Sequence, residues 1–194
     1  MGRYVRAVPA EDVHVVPYDE RWPNLFDAER GRLVGLLAPW LVGDVEHVGS
    51  TSVPGLSAKP IIDMLAGVRR LNAARQAVPL LEVVGYESGS HRPHEALWLF
   101  KPAGVPSFER LFHLHLTEVG SDLWRERLVF RDTLRADPGL TAEYEQLKQR
   151  LARERADLRE YTDGKRGFVV RVLAGAGVSL PSERSNPGTS AADS

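Results

Sequence analysis

His47-Val48-Gly49-Ser50-Thr51-Ser52-Val53-Pro54-Gly55-Leu56-Ser57-Ala58-Lys59-Pro60-Ile61-Ile62-Asp63-Met64 is the stretch whose reading decides the fold. A short apolar run, residues 45–48, ends in Gly-Ser. A loop of small residues with Pro and Gly follows, then Lys59, then a second apolar run that carries one carboxylate, Asp63. The pattern is strand, tight small-residue turn, strand. A glycine has no Cβ, so such a turn lets backbone amides come close to an anionic group. Asp63 falls in or at the end of a buried strand, where an unpaired charge is costly, so a metal, a lysine or a histidine is expected beside it. Gly-Ser and Pro-Gly are also ordinary loop chemistry, with Asp63 then a structural residue paired to Lys59 or to backbone amides.

Working outward, residues 13–16 read as a short strand stopped by Pro17, and residues 22–37 as a helix. Trp22, Leu25, Phe26, Leu33, Leu36 and Leu37 recur there at helical spacing, with Asp27, Glu29, Arg30 and Arg32 between them. The motif strands cover residues 45–48 and 60–68. Residues 71–81 read as a helix shortened by Pro79, and residues 82–89 as the start of a strand. Residues 88–95 form a loop, in which His91 and His94 read as exposed. Residues 96–101 and 110–117 are two more strands. In the second of these, Arg110, Phe112, Leu114 and Leu116 point one way and Glu109, Leu111, His113 and His115 the other. Ser121 or Asp122 caps a helix running to Leu134, and Asp137-Pro138 opens another, to about Leu158. Leu140, Tyr144, Leu147, Leu151 and Leu158 mark its buried stripe. Residues 161–174 are a third helix. Residues 178–194, dominated by Ser, Pro, Asn, Gly and Ala, are expected to be a disordered tail behind one domain, residues 1–177. Strands followed by helices give an α+β domain with a mixed sheet.

The chain has 194 residues, enough for one well-buried core. A formal net charge of −1 provides no field that favours nucleic acid or a membrane surface. The absence of cysteine excludes disulfides and thiolate metal sites and agrees with a cytoplasmic location. The first residues, Met1-Gly2-Arg3-Tyr4-Val5-Arg6, lack the apolar core of a signal peptide. No apolar run approaches the ~20 residues of a membrane span.

The motif resembles the signature of the GrpB family, whose members have the nucleotidyltransferase fold. Phe112-His113-Leu114-His115-Leu116 resembles the family's His-x-His strand, and Phe130-Arg131-Asp132, within residues 124–134, its following helix. Tyr161-Thr162-Asp163-Gly164-Lys165, continuing into Phe168-Val169, resembles its C-terminal helix. Matching segments run from about Val15 to about Leu173. The resemblance implies a nucleotidyltransferase-like mixed sheet flanked by helices, with a helical C-terminal part.

It also implies a chemistry. Nucleotidyltransferases carry Gly-Ser or Gly-Gly at the end of one strand and a paired carboxylate motif on the next. The glycine turn admits phosphates, and the carboxylates hold divalent ions that neutralise charge during transfer. Gly49-Ser50 and Asp63 fit this pattern, whereas Leu65 stands where the second carboxylate belongs. The face of Glu109, His113 and His115 is the candidate replacement. Two histidines at i and i+2 of a strand share a face and, with an Asp, can ligate a metal. They could instead bind phosphate as cations, act as a general base, or line a solvated face. The expected catalytic and metal-binding set is therefore Asp63, His113 and His115, with a divalent ion (Mg, Mn or Zn). Gly49, Ser50, Thr51, Lys59, Arg131, Tyr161 and Lys165 are the expected contacts to a nucleotide or other phosphorylated small molecule. Arg127, one turn before Arg131, reads as a surface charge, and His14 and His47 as structural. The function so implied is a metal-dependent nucleotidyltransferase-like enzyme. The alternative is a non-catalytic accessory module like the domain that the resemblance links to dephospho-CoA kinase.

Overall fold

The computed structural model describes residues 14–89, 92–101, 112–154 and 158–179. The expected strand at residues 13–16 reduces to one bridge, Val16 to Ala58. Helix α1, Trp22–Leu37, follows. Of its predicted apolar stripe, Trp22, Leu33 and Leu37 are buried, with Phe26 packed beside them, whereas Leu25 is exposed and Glu29, read as lying between the apolar positions, is buried. Strand β1 spans Leu41–Val48, four residues more than the apolar run alone suggests, because a bulge between Leu41 and Val45 absorbs Gly43 and Asp44. A single 3₁₀ turn, Ser50–Ser52, leads out of it, and β2 occupies Ile62–Val68.

Three predicted elements come out differently. The segment predicted as one helix is split into α2, Leu71–Ala74, and α3, Val78–Val83. Pro79 starts α3 rather than ending a helix, because its fixed φ suits the first turn, where no intrahelical N–H is needed. The strand predicted over residues 82–89 shrinks to β3, Glu87–Ser88, since Val83 belongs to α3 and is 85% exposed. The C-terminal helix is two: α6, Leu158–Gly164, and α7, Arg166–Gly175, separated at Lys165.

Strands β4, Ala96–Lys101, and β5, Phe112–Glu118, complete a sheet of order β1-β2-β5-β4-β3. The β2–β5 pair is parallel and the other pairs are antiparallel. This is the α+β class expected, with a mixed sheet flanked by helices. Helices α4, Asp122–Ala136, and α5, Pro138–Arg153, have the caps read from sequence: Ser121 Oγ accepts from the Trp124 N–H, and Asp137 Oδ1 from the Leu140 N–H. Glu109, His91 and the tail beyond Ser179 lie outside the described residues.

The period-2 alternation sorts the sheet into two faces. Met64, Ala66, Val68, Leu97, Leu99, Leu114 and Leu116 form one core with α1 to α3. Asp63, Leu65 and Gly67 share the opposite face with His113, His115 and Thr117, their register partners on β5. Helix α4 lies across that second face. It comes so close at Gly67 that a Cβ there would stand 2.6 Å from Val119 and 2.8 Å from Trp124. A second core of Leu134, Tyr144, Phe168 and Val172 joins α4, α5 and α7, and Val53 and Leu56 of the motif loop are buried in it. The loop is thus held between the sheet and the C-terminal helices. Among the described residues no helix is long and apolar enough to cross a membrane.

Candidate functional site

Three devices shape the turn after β1. Gly49 has φ 72° and ψ −174°, a backbone state open essentially to glycine alone. Its missing Cβ makes room for Asp63, whose Oδ2 would otherwise lie 2.3 Å from it. The Ser52 hydroxyl donates back to the Gly49 carbonyl at 2.6 Å. Thr51 faces inward: it is buried, its hydroxyl donates to the Ile61 carbonyl (3.0 Å), and His47 Nε2 is 3.1 Å away. The Thr51 side chain therefore braces the loop. His47, stacked on Phe26 at 4.6 Å, is the structural residue expected; burial drives its imidazole down to about 4. Ser50 is hydrogen-bonded to Tyr144, a buried tyrosine pushed up to about 12 by desolvation.

Asp63 meets His113 as the parallel register demands. Oδ1 lies 3.2 Å from His113 Nδ1, with the two side chains 30% and 18% exposed. Burial works to raise the Asp63 carboxyl. The hydrogen bond and charge of His113, aided by His115 and Arg127, outweigh it and hold the group at about 2. His113 stands edge-on to Trp98 at 5.3 Å. Its other nitrogen, Nε2, is buried and has no hydrogen-bond partner among the described residues. His115, one register pair along, is 5% exposed and adds its charge to the field at Asp63.

Of the expected cations, Lys165 acts on Asp63, and Lys59 is within electrostatic reach of Lys165. Lys165 sits at the break between α6 and α7, with Nζ 4.2 Å from the centre of the buried Tyr161 ring. Burial pulls Lys165 down to about 8; Asp63 opposes that, and the charges of Lys59 and Arg127 add to it. Arg131 does not join them. Its guanidinium is committed to Glu46 (2.7 Å), Asp132 (2.7 Å) and the His47 carbonyl (3.0 Å). Arg127 takes the place expected of Arg131. It acts on Asp63, Tyr144 and Lys165, and its Nε is buried with no hydrogen-bond partner among the described residues. The signal for it was present in the sequence: Leu123, Arg127, Phe130 and Leu134 fall on one helical stripe, so Arg127 is a charge on an apolar face.

The loop is also gripped from outside by its carbonyl oxygens. Arg131 donates to His47 O, Arg135 donates twice to Ser52 O (2.9 and 2.7 Å), and Lys148 Nζ donates to Ser57 O. Ser57 in turn donates to Glu145. Removing a donor from a carbonyl of this kind costs about 1–3 kcal/mol when water does not replace it. Arg135→Met is therefore expected to lower the melting temperature by several degrees, and Arg135→Lys to restore part of the loss in the same thermal scan. Equal melting temperatures for wild type and Arg135→Met would show that the grip on Ser52 contributes nothing.

Among the described residues, β2 lacks the second carboxylate of a two-metal centre. The position two after Asp63 is the fully buried Leu65, and Asp63 Oδ1 is paired with His113. Among the described residues no three His, Asp or Glu side chains gather as a metal-binding group. The charges converging on Asp63 are cationic.

The sequence model of a family described as GrpB protein matches residues 12–174. The UPF0157 protein YqkA of Bacillus subtilis (strain 168) is 35% identical over 162 residues, which are 83% of this chain and 46% of that protein. The chain thus spans about half the length of YqkA. A UPF0157 protein of Deinococcus radiodurans is 38% identical over 165 residues, 85% of this chain and 82% of that one. The crystal structure of conserved protein GrpB from Enterococcus faecalis is similar with a TM-score of 0.75 at 31% identity, covering 84% of this chain and 96% of that one.

Proposed function

The chain belongs to the GrpB family, and we propose that it binds a nucleotide or another phosphorylated small molecule in the cleft beside Gly49 and Asp63. One observation carries the reading. Lys165 is within electrostatic reach of Asp63, of Lys59 and of Arg127, and Arg127 acts on Asp63 as well, so cations from three separate segments lie near one carboxylate. The glycine turn opens on the same place, and the buried Arg127 Nε has no acceptor among the described residues. A phosphate group supplies acceptor oxygens and negative charge together.

Leu65 bears on whether the bound molecule reacts. With an apolar residue where nucleotidyltransferases carry the second carboxylate, β2 alone does not supply the ligands of a two-metal transfer centre. A transfer centre would therefore draw a further ligand from outside β2, whereas a binding module needs none. The groups present can hold a phosphate, orient an imidazole through the Asp63–His113 pair, and exclude water through the α4–α5 layer.

Thermal scans with a panel of nucleotides and inorganic pyrophosphate test the reading, because a ligand that binds only the folded chain raises its melting temperature. At least one phosphorylated compound is expected to do so. Lys165→Ala should weaken binding about tenfold or more, and the difference should shrink at high salt. No shift with any member of the panel would remove the proposal. Turnover of a nucleotide with Mg²⁺, Mn²⁺ or Zn²⁺ by wild type and not by Asp63→Asn would restore the enzyme reading.

A further inference from the structure

We infer that the cleft takes a phosphoryl or pyrophosphoryl group as a free anion, bound directly by Lys59, Arg127 and Lys165, with Asp63 serving as an internal counter-charge and not as a metal ligand. This rests on the phosphorylated-ligand reading above and adds the charge state of what is bound.

Asp63 Oδ1 faces His113 Nδ1 at 3.2 Å, and Oδ2 lies close enough to Gly49 that a single added methyl group would overlap it. The register partner of Leu65 is His115, so the next place on this face adds no carboxylate. A divalent ion at Asp63 would also meet Arg127, whose charge favours the ionised carboxylate and repels a cation. Lys165 is turned over the Tyr161 ring and feels both Asp63 and Lys59.

The cations point the same way. Lys165 feels Lys59 and Arg127 beside Asp63. A phosphate monoester, which carries about −1.5 to −2 at neutral pH, suits such surroundings. A Mg²⁺ ion riding on the phosphate would cancel the charge that the cations complement. The buried Arg127 Nε supplies the second, independent sign of a ligand. A buried donor without an acceptor is rare in a native fold, and a phosphate oxygen provides one.

Calorimetric titration with inorganic pyrophosphate, once with EDTA and once with excess Mg²⁺, decides the matter. Binding is expected in EDTA, with severalfold loss when Mg²⁺ is added. Arg127→Met should weaken binding in EDTA by about tenfold or more. Asp63→Asn, which removes the competing negative charge and keeps the shape, should bind as tightly as wild type or more tightly. Circular dichroism and a thermal scan of each variant confirm that it is folded. ADP in parallel shows whether the group is recognised when it belongs to a nucleotide. Pyrophosphate binding that requires Mg²⁺, or a folded Asp63→Asn variant that has lost binding, would overturn the inference while leaving the phosphorylated-ligand reading intact. Failure of pyrophosphate and of every nucleotide under both conditions would overturn both.

Discussion

Replacing Gly49 by alanine is expected to destabilise the protein and to weaken binding in the cleft by disordering its wall, through two separate effects. The first is local. At φ 72° and ψ −174° an L-residue is strained, at a cost of about 1–3 kcal/mol. The second is tertiary. The new Cβ would stand 2.3 Å from Asp63 Oδ2 and 2.9 Å from Asp63 Cβ, so the Asp63 side chain has to leave its position. The pairing with His113 then goes with it. For a chain of this size each kcal/mol corresponds to roughly 2–4 °C, so a fall of about 5–10 °C in melting temperature is expected. Gly55 provides the comparison. It also has a positive φ, 77°, but a Cβ there would meet nothing within 4 Å. Gly55→Ala should therefore bear only backbone strain and leave pyrophosphate affinity unchanged. If the two variants behave alike in both stability and binding, the close approach of Gly49 to Asp63 has no role in the site.

The pairing of Gly49 with Asp63 is the part of the site most legible in the sequence, because both partners lie in one short segment whose strand-turn-strand pattern is local. His113 was legible for a similar reason: period-2 alternation along β5 put it on the polar face, and the parallel register with β2 then brought it to Asp63. What alternation does not convey is which helix covers a face. Arg131 and Arg127 are one turn apart on α4, and both are basic. Glu46 on β1 captures the first, and only the packing of α4 on the sheet turns the second toward Asp63. The partners of Thr51 are equally hidden from alternation. A small hydroxylic residue in a glycine turn looks like a phosphate contact, yet its partners are His47, four residues back, and the Ile61 carbonyl, ten residues on. The break at Lys165 escaped periodicity altogether. Gly164 marks it, because a Cβ there would stand 2.7 Å from Leu151 of α5, so the chain narrows where the helices meet.

Lys148 illustrates the same limit and provides a large pH effect near neutrality. It lies on the buried stripe of α5, four residues after Tyr144, and is 1% exposed. Its Nζ donates to the Ser57 carbonyl and lies 4.9 Å from the centre of the Tyr144 ring. Burial, followed by the charge of Lys165, drives the ammonium from 10.5 down to about 7, against the pull of Glu145. Between these two values the unfolded chain holds the proton and the folded chain releases it, so stability rises with pH across the window from about 7 to 10.5. At 1.36 kcal/mol per unit of pKa, the rise from this group is about 3–6 kcal/mol. Lys165, held at about 8, changes in the same direction. Lys148→Met keeps the apolar contact with Tyr144 and removes both the titration and the hydrogen bond to Ser57. The lost bond costs about 1–3 kcal/mol at any pH. The two stability curves should therefore cross. Near pH 6, where wild type keeps a buried charge, the variant is expected to be as stable or more so. Near pH 9.5, where the buried amine is neutral and still bonded to Ser57, wild type is expected to be the more stable. Urea denaturation of both proteins at a series of pH values measures the difference directly, and groups that titrate alike in the two chains cancel. Parallel curves would mean that Lys148 keeps its proton throughout, and that its grip on the loop leading to Lys59 is that of an ordinary charged side chain.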